Sequence, residues 1–334
     1  MKTLKKTWNW FGSKSSIIAF LILFIFASIA FSEKNLMSFP SIMRLFNKAA
    51  SDTGIVALGM AFVIMIGQID LSVGAVLALS GVIMGIFGET NPILGIILGL
   101  LCGVITGLLN GLMVTKLRIS SWIATLAMLM GVRGLVLLIT NKSPVSIKDP
   151  ILRAIGGYRI PFLNNTNIPI LVVIFVVLTL ICMHISHNTK FGTSLYSVGG
   201  NEEAARMMGL PADRTKILAF VVCGLIAALS GILSASKLGT AQPNAGDAWE
   251  TTAIAMCALG GIKLSGGEGK FSGAFFGAMI ITIINTIFNY SGKLDSAWQR
   301  VAMGGVILLS IALQSEVFSF KKKNKEEVKE EFNT

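Results

Sequence analysis

Charge is scarce in this chain. Asp, Glu, Lys and Arg together make up 13% of its 334 residues, about half the ~25% of an ordinary soluble domain. Its length would suit about two soluble domains, but water alone is a poor solvent for such a composition. Histidine occurs only twice, which leaves little for acid–base chemistry near neutral pH. Neither His-Glu-x-x-His nor Gly-x-Ser-x-Gly occurs, so two common hydrolase signatures are missing. The phosphate loop of ATP-hydrolysing domains is missing too. Gly269-Lys270 runs into Phe271, and Gly292-Lys293 into Leu294. The four cysteines, Cys102, Cys182, Cys223 and Cys257, form no Cys-x-x-Cys pair and lie in or beside apolar stretches. Buried free thiols are expected, with no metal and no disulfide. The net charge is +11, but no long basic run with interleaved aromatics accompanies it, so nucleic acid is excluded as a partner.

Apolar residues are what the chain has in excess, at 53% with a mean hydropathy of +0.74. A membrane-spanning helix needs about 20 mostly apolar residues. Ten candidate spans are read: 17–31, 53–69, 71–88, 92–114, 120–140, 168–186, 215–236, 249–262, 271–290 and 297–314. All eight prolines fall in loops or at span starts, where a residue without an N–H is tolerated. The expectation is an all-α polytopic membrane protein of about ten transmembrane helices, with one or two of them broken or short. Lys and Arg are denser in the segments that an inside N-terminus places inside, which puts both termini in the cytoplasm. The division is then a cytoplasmic N-terminus (1–16), a transmembrane domain (17–314) containing an inside loop (187–214), and a solvated cytoplasmic tail (315–334). The first apolar run has a second reading. Ser28-Ile29-Ala30 resembles a signal cleavage site, and cleavage would leave nine spans.

Polar groups inside spans are functional suspects. The stretch 54–87 is too long for one ordinary span, so a break is expected near Asp70 in Gly67-Gln68-Ile69-Asp70-Leu71-Ser72. Asp70 caps the second helix or faces a pathway through a discontinuous helix. The segment 249–262 is short enough to be a half-helix, with Trp249 and Glu250 at the outer interface. Arg133 lies within a span and snorkels, pairs with a carboxylate or serves function. Gly95, Gly99, Gly103, Gly107 and Gly111 recur every four residues, a smooth face suited to close helix packing. Gly273 and Gly277 repeat the device. His184 and His187 lie three apart near a span end with no third ligand beside them, which favours an interfacial role.

Leu264-Ser265-Gly266-Gly267-Glu268-Gly269 looks like the signature of an ATP-binding cassette, but without a phosphate loop it reads as a glycine-rich turn. The inside loop carries Asn201-Glu202-Glu203-Ala204-Ala205-Arg206-Met207-Met208-Gly209. Asn201 is a helix start signal, Gly209 and Pro211 are stop signals, and the two Met side chains suit a partner's groove.

This loop resembles the EAAxxxG coupling loop of bacterial ATP-binding-cassette (ABC) import permeases. Gly67 to Gly74, Gly192 to Gly209, and Glu250 to Asn285 look like the ribose and simple-sugar branch of that family, in the same order. Gln68 departs from it, since the family more often has a second Gly there. The resemblance implies a permease subunit with no ATPase site or cofactor of its own. It implies a second permease subunit, expected to be an identical copy, in the inner (cytoplasmic) membrane bilayer. It also implies a cytoplasmic cassette protein that uses ATP and an extracytoplasmic sugar-binding protein, with ribose or a related monosaccharide as substrate. The cassette would grip residues 201–209, with Glu203 as a polar contact and Gly209 as a required turn. Asp70, Asn110, Thr125 and Asn285 are the candidate pathway residues, able to hydrogen-bond sugar hydroxyls or neighbouring helices. The alternative is a secondary transporter or channel for a small polar solute. That would require buried ionisable coupling groups, in which the spans are poor.

Overall fold

The structure is a computed structural model that describes residues 15–162 and 167–291, with single positions at 298, 301, 304, 305 and 308. Among the described residues six helical segments are long and apolar enough to cross a membrane, and Ser16–Ala30 and Val73–Gly88 are shorter apolar helices. The chain is therefore a polytopic α-helical membrane protein. The expected span 297–314 lies almost wholly outside the described residues.

The helices are α1 (Ser15–Ala30), α2 (Phe39–Ala49), α3 (Ile55–Met65), α4 (Val73–Gly88), α5 (Pro92–Thr115), α6 (Ser121–Thr140), α7 (Pro150–Gly157), α8 (Ile170–Asn188), α9 (Lys190–Gly200), α10 (Glu202–Met207), α11 (Ala212–Leu238), α12 (Trp249–Leu259) and α13 (Phe271–Ser291). Two antiparallel pairs of very short strands complete it. β1 (Val145–Ser146) pairs with β4 (Thr240–Ala241), and β2 (Arg159–Pro161) with β3 (Asn167–Pro169).

Every residue of α3 is buried, as expected of a helix that is apolar all round and sits inside a bundle. It continues α2 through a π-helical turn, Ala50–Gly54, so the span read as 53–69 is one segment, Phe39–Met65. The periodicity missed α2 because α2 is amphipathic, with Ser41, Leu45 and Ala49 buried and polar residues between them. Helices α7 and α9 likewise lie in segments without a span-length apolar run, which hydropathy assigns to loops. The break expected near Asp70 is present: α3 ends at Met65 and α4 starts at Val73.

The five glycines of α5 pack backbone against backbone. A Cβ on Gly95 would lie 2.7 Å from the Gly88 Cα in α4. One on Gly107 would lie 2.8 Å from the Val221 Cα, and one on Gly111 2.8 Å from the Ile217 Cα, both in α11. Gly103 meets Gly224 of α11 reciprocally. Helix packing thus accounts for the stripe. Gly273 and Gly277 do the same against Gly260 and Met256. The opposite face of α5 exposes Ile93, Ile97, Leu101, Ile105, Leu108 and Leu112, an outward apolar stripe that suits lipid. Cys182, Cys223 and Cys257 are buried free thiols, while Cys102 is partly exposed.

Candidate coupling site

The short helix α10 is built by local chemistry. Asn201 adopts an extended conformation and its side chain accepts from the Ala204 N–H at 2.9 Å, a side-chain N-cap. At the other end Gly209 has φ +78°. Its N–H donates to the Arg206 carbonyl, and the Leu210 N–H to the Ala205 carbonyl, each at 3.0 Å. That is a Schellman stop, which wants glycine at the left-handed position. A Cβ on Gly209 would touch nothing, so conformation alone selects the residue.

One side of α10 is seated and the other is free. Ala205 is fully buried, whereas Met207 and Met208 are 80% and 70% exposed. Glu202 pairs with Arg206 at 2.9 Å and with Lys216 in the first turns of α11. Arg206 also pairs with Asp213, and Asp213 with Lys116 at 3.5 Å. Burial opposes the Glu202 charge, but hydrogen bonds from Lys216 and Arg206 outweigh it and hold its carboxyl below the ordinary value. Hydrogen bonds to Asp213 and Glu202 push the Arg206 guanidinium up. Glu203 is exposed and makes no ion pair among the described residues. The arrangement is a small helix clamped by charges beneath, offering one carboxylate and two thioethers outward.

Immediately before α10, three glycine-rich segments converge. The Gly267 N–H donates to the Met65 carbonyl at 2.9 Å. A Cβ on Gly266 would lie 2.6 Å from the Gly67 N and 2.9 Å from the Gly199 O. A Cβ on Gly267 would lie 2.5 Å from the Gly200 Cα. Only glycine permits backbones to approach so closely. The Tyr196 hydroxyl fastens the same turn by donating to the Gly269 carbonyl at 3.1 Å. The turn 264–269, the end of α9 and the end of α3 are thus one junction. The sequence marks each separately, but not that they meet.

Beyond the junction lies the break between α3 and α4. Asp70 accepts from the Ser72 N–H at 2.8 Å and the Ser72 hydroxyl at 2.6 Å. The Asn110 amide donates to the Ser72 Oγ at 2.9 Å and reaches the Asp70 carboxylate at 3.4 and 3.5 Å. The Leu71 N–H donates to the Thr125 Oγ1 at 3.0 Å. Three of the four candidate pathway residues therefore come together from α5, α6 and the break. All three are at most 1% exposed, so in this structure none of them is open to a solute. Asn285 lies on α13, which packs against α12, α1, α2 and α3 rather than α5 or α6. Arg133, whose role the sequence leaves open, pairs with Asp247 at 2.9 Å. The half-helix expected at 249–262 is α12. His184 Nδ1 lies 3.1 Å from the Asn188 amide, and His187 stacks on Tyr196.

The family model described as branched-chain amino acid transport system / permease component matches residues 43–311. The ribose import permease protein RbsC of Bacillus subtilis (strain 168) is 37% identical over 320 residues, 94% of this chain and 97% of the relative. RbsC of Escherichia coli (strain K12) is 35% identical over 316 residues, 92% and 95% of the two chains. The L-arabinose transport system permease protein AraH of Escherichia coli (strain K12) is 35% identical over 311 residues, 92% and 90%. No solved structure matches the chain. With a family model over most of its length and relatives 35–37% identical along more than nine-tenths of it, the chain belongs to the family of transport-system permease components.

Proposed function

We propose that this chain is the membrane-spanning permease subunit of an ABC importer for a simple sugar, ribose or a related monosaccharide. The observation that carries the reading is the likeness to ribose and arabinose permeases along more than nine-tenths of the chain. In this reading the protein lies in the cytoplasmic membrane with about ten spans and both termini inside. The end that bears α10 faces the cytoplasm. A cassette subunit, which binds and hydrolyses ATP, takes residues 201–209 into a groove; Glu203 supplies a polar contact and Met207 and Met208 an adaptable apolar one. A second copy of the chain completes the pathway, and an extracytoplasmic binding protein delivers the sugar.

The junction supports a route for coupling. Movement of α10 reaches Gly199 and Gly200 directly and, through the turn 264–269, the break at 66–72. Asp70, Asn110 and Thr125 then stand where a two-state rearrangement would open the helices.

The test is reconstitution of the chain with its cassette and binding proteins in proteoliposomes. Ribose uptake that requires ATP, and falls with Glu203→Ala and Gly209→Pro, is the expected result. Uptake that runs without ATP, with no cassette subunit bound, points instead to a secondary transporter or channel.

A further inference from the structure

The segment from Gln242 to Thr251 stands apart from the coupling machinery. It leaves the β1–β4 pairing, runs as irregular backbone and enters α12. Three helices serve as rulers for its depth. Gly246 packs against Gly74, and Gly74 lies about 21 Å along α4 from its far end at Gly88, at 1.5 Å per residue. Trp249 stands about 15 Å above Leu259, the end of α12 nearest the junction. Arg133, which grips the segment, is about 18 Å from Ser121 along α6. A hydrocarbon layer is about 30 Å thick. The segment thus turns near mid-depth, and the Trp249 and Glu250 expected at the outer interface sit there instead.

At that depth Gln242, Asn244, Asp247 and Thr251 are exposed, the Asp247 side chain at 67%. Lipid does not accept such an edge, because polar groups and irregular backbone at membrane depth are tolerated only inside protein or along water. The edge is also built rather than loose. Arg133, its side chain 14% exposed, donates to the Pro243 and Ala245 carbonyls at 2.7 and 2.8 Å and pairs with Asp247. Gly246 and Ala248 both hold left-handed backbone, at φ +74° and +60°.

We infer that the exposed edge at Gln242, Asn244, Asp247 and Thr251 lines the solute pathway at mid-membrane depth, with Arg133 as its positioning residue. Two amides, a carboxylate and a hydroxyl offer donors and acceptors together, which suits a neutral polyhydroxylated solute. The Arg133 guanidinium is already committed to Asp247 and two carbonyls, so it is not offered to an anionic solute. The sugar identity rests on the permease reading above; the water access of this edge does not.

The experiment uses the complete assembled transporter in proteoliposomes. In a background with the four native cysteines replaced, Asn244→Cys and Thr251→Cys are treated with a charged, membrane-impermeant thiosulfonate. Both labelling and ATP-driven ribose uptake are measured. The expected result is labelling at both positions and a fall in uptake of about tenfold, as a charged plug narrows the pore. Absence of labelling in the assembled complex would mean that the edge is covered by the second subunit or by lipid, and would overturn the inference. Labelling without loss of uptake overturns it as well. Asn244→Ala, assayed in a chain that keeps its cysteines, should raise the KM for ribose about fivefold; an unchanged KM counts against the assignment. If the wild-type assembly takes up no ribose, the sugar reading fails, while labelling still decides whether this edge meets water.

Discussion

The backbone N–H of Gly267 donates to the carbonyl of Met65 at 2.9 Å, 202 positions apart in the sequence numbering. Met65 is the last residue of α3 and Gly267 lies in the turn before α13, so this bond joins the broken helix to a turn that also touches the approach to α10. The contact is tight on every side. The first prediction concerns its tolerance. Gly199→Ala places a Cβ 2.6 Å from the Gly267 N and into the Met65 carbonyl. Overpacking of this kind costs about 1–3 kcal/mol. The neighbouring Gly200→Ala meets nothing within 4 Å. We expect Gly199→Ala to lower the thermal midpoint and the binding-protein-stimulated ATP hydrolysis of the complex, with Gly200→Ala close to wild type. Equal behaviour of the two variants would mean that the junction transmits nothing.

The ends of α10 differ in what they require. Asn201→Ala removes a side-chain cap worth about 1 kcal/mol. Gly209→Ala puts a Cβ into open space but keeps a left-handed residue, costing about 1–2 kcal/mol. Gly209→Asn should be milder than Gly209→Ala, since Asn visits that conformation more readily. Affinity for the isolated cassette subunit, measured by titration, is expected to follow the order wild type, Gly209→Asn, Gly209→Ala. Space, rather than conformation, would be the selecting factor if Ala bound better than Asn.

Acid should loosen the seat of α10. The Glu202 carboxyl is held below its ordinary value in the folded protein. Its stabilisation is therefore fully present above the unfolded pKa and is lost as pH falls through the folded, depressed one. Glu202 is 36% exposed, so solvent screening limits the contribution to at most about 1 kcal/mol. Amide-exchange protection at Ala204–Arg206, corrected for intrinsic rate, should be steady near neutrality and decline below the ordinary carboxylate range. Glu202→Gln should be less protected at neutral pH and lose that decline. A decline that persists in Glu202→Gln assigns it to another group, Asp213 first.

Glycines of α5 and α6 are not equivalent. Gly103→Leu drives a branched side chain into the Gly224 backbone of α11, and the packed pair of helices has no room to yield. Gly134 in α6 has nothing within 4 Å of an added Cβ, and Ala gains up to about 1 kcal/mol of helix propensity there. Monodisperse yield after detergent extraction should collapse for Gly103→Leu and hold or rise for Gly134→Ala. A well-behaved Gly103→Leu would show that the stripe is not a packing face.

Much of the architecture was legible because lipid imposes a simple rule. Apolar runs of the right length marked α5, α6, α8, α11 and α13 to within a few residues, and excess length exposed the break at Asp70. Asn201 and Gly209 announced both ends of α10, since a cap and a stop are local chemistry. The amphipathic α2 was not legible, because four of its eleven residues are polar and hydropathy alone cannot separate such a helix from a loop. Nor was the placement of Asp247. It reads as an ordinary loop acid until Arg133, on another helix, is seen to hold it.

The sequence by itself determined that the chain lives in a membrane, that it contains no phosphate-loop motif, and where the short helix α10 would begin and end. Those are properties of composition and of neighbours along the chain. Only the tertiary structure decided which glycines meet, that Asp70, Asn110 and Thr125 close on one another beneath the surface, and that Arg133 holds the segment 242–251 against α4. Each of these depends on contacts between residues tens to hundreds of positions apart. Hydropathy and turn chemistry do not encode such pairings; the mutual fit of whole helices does.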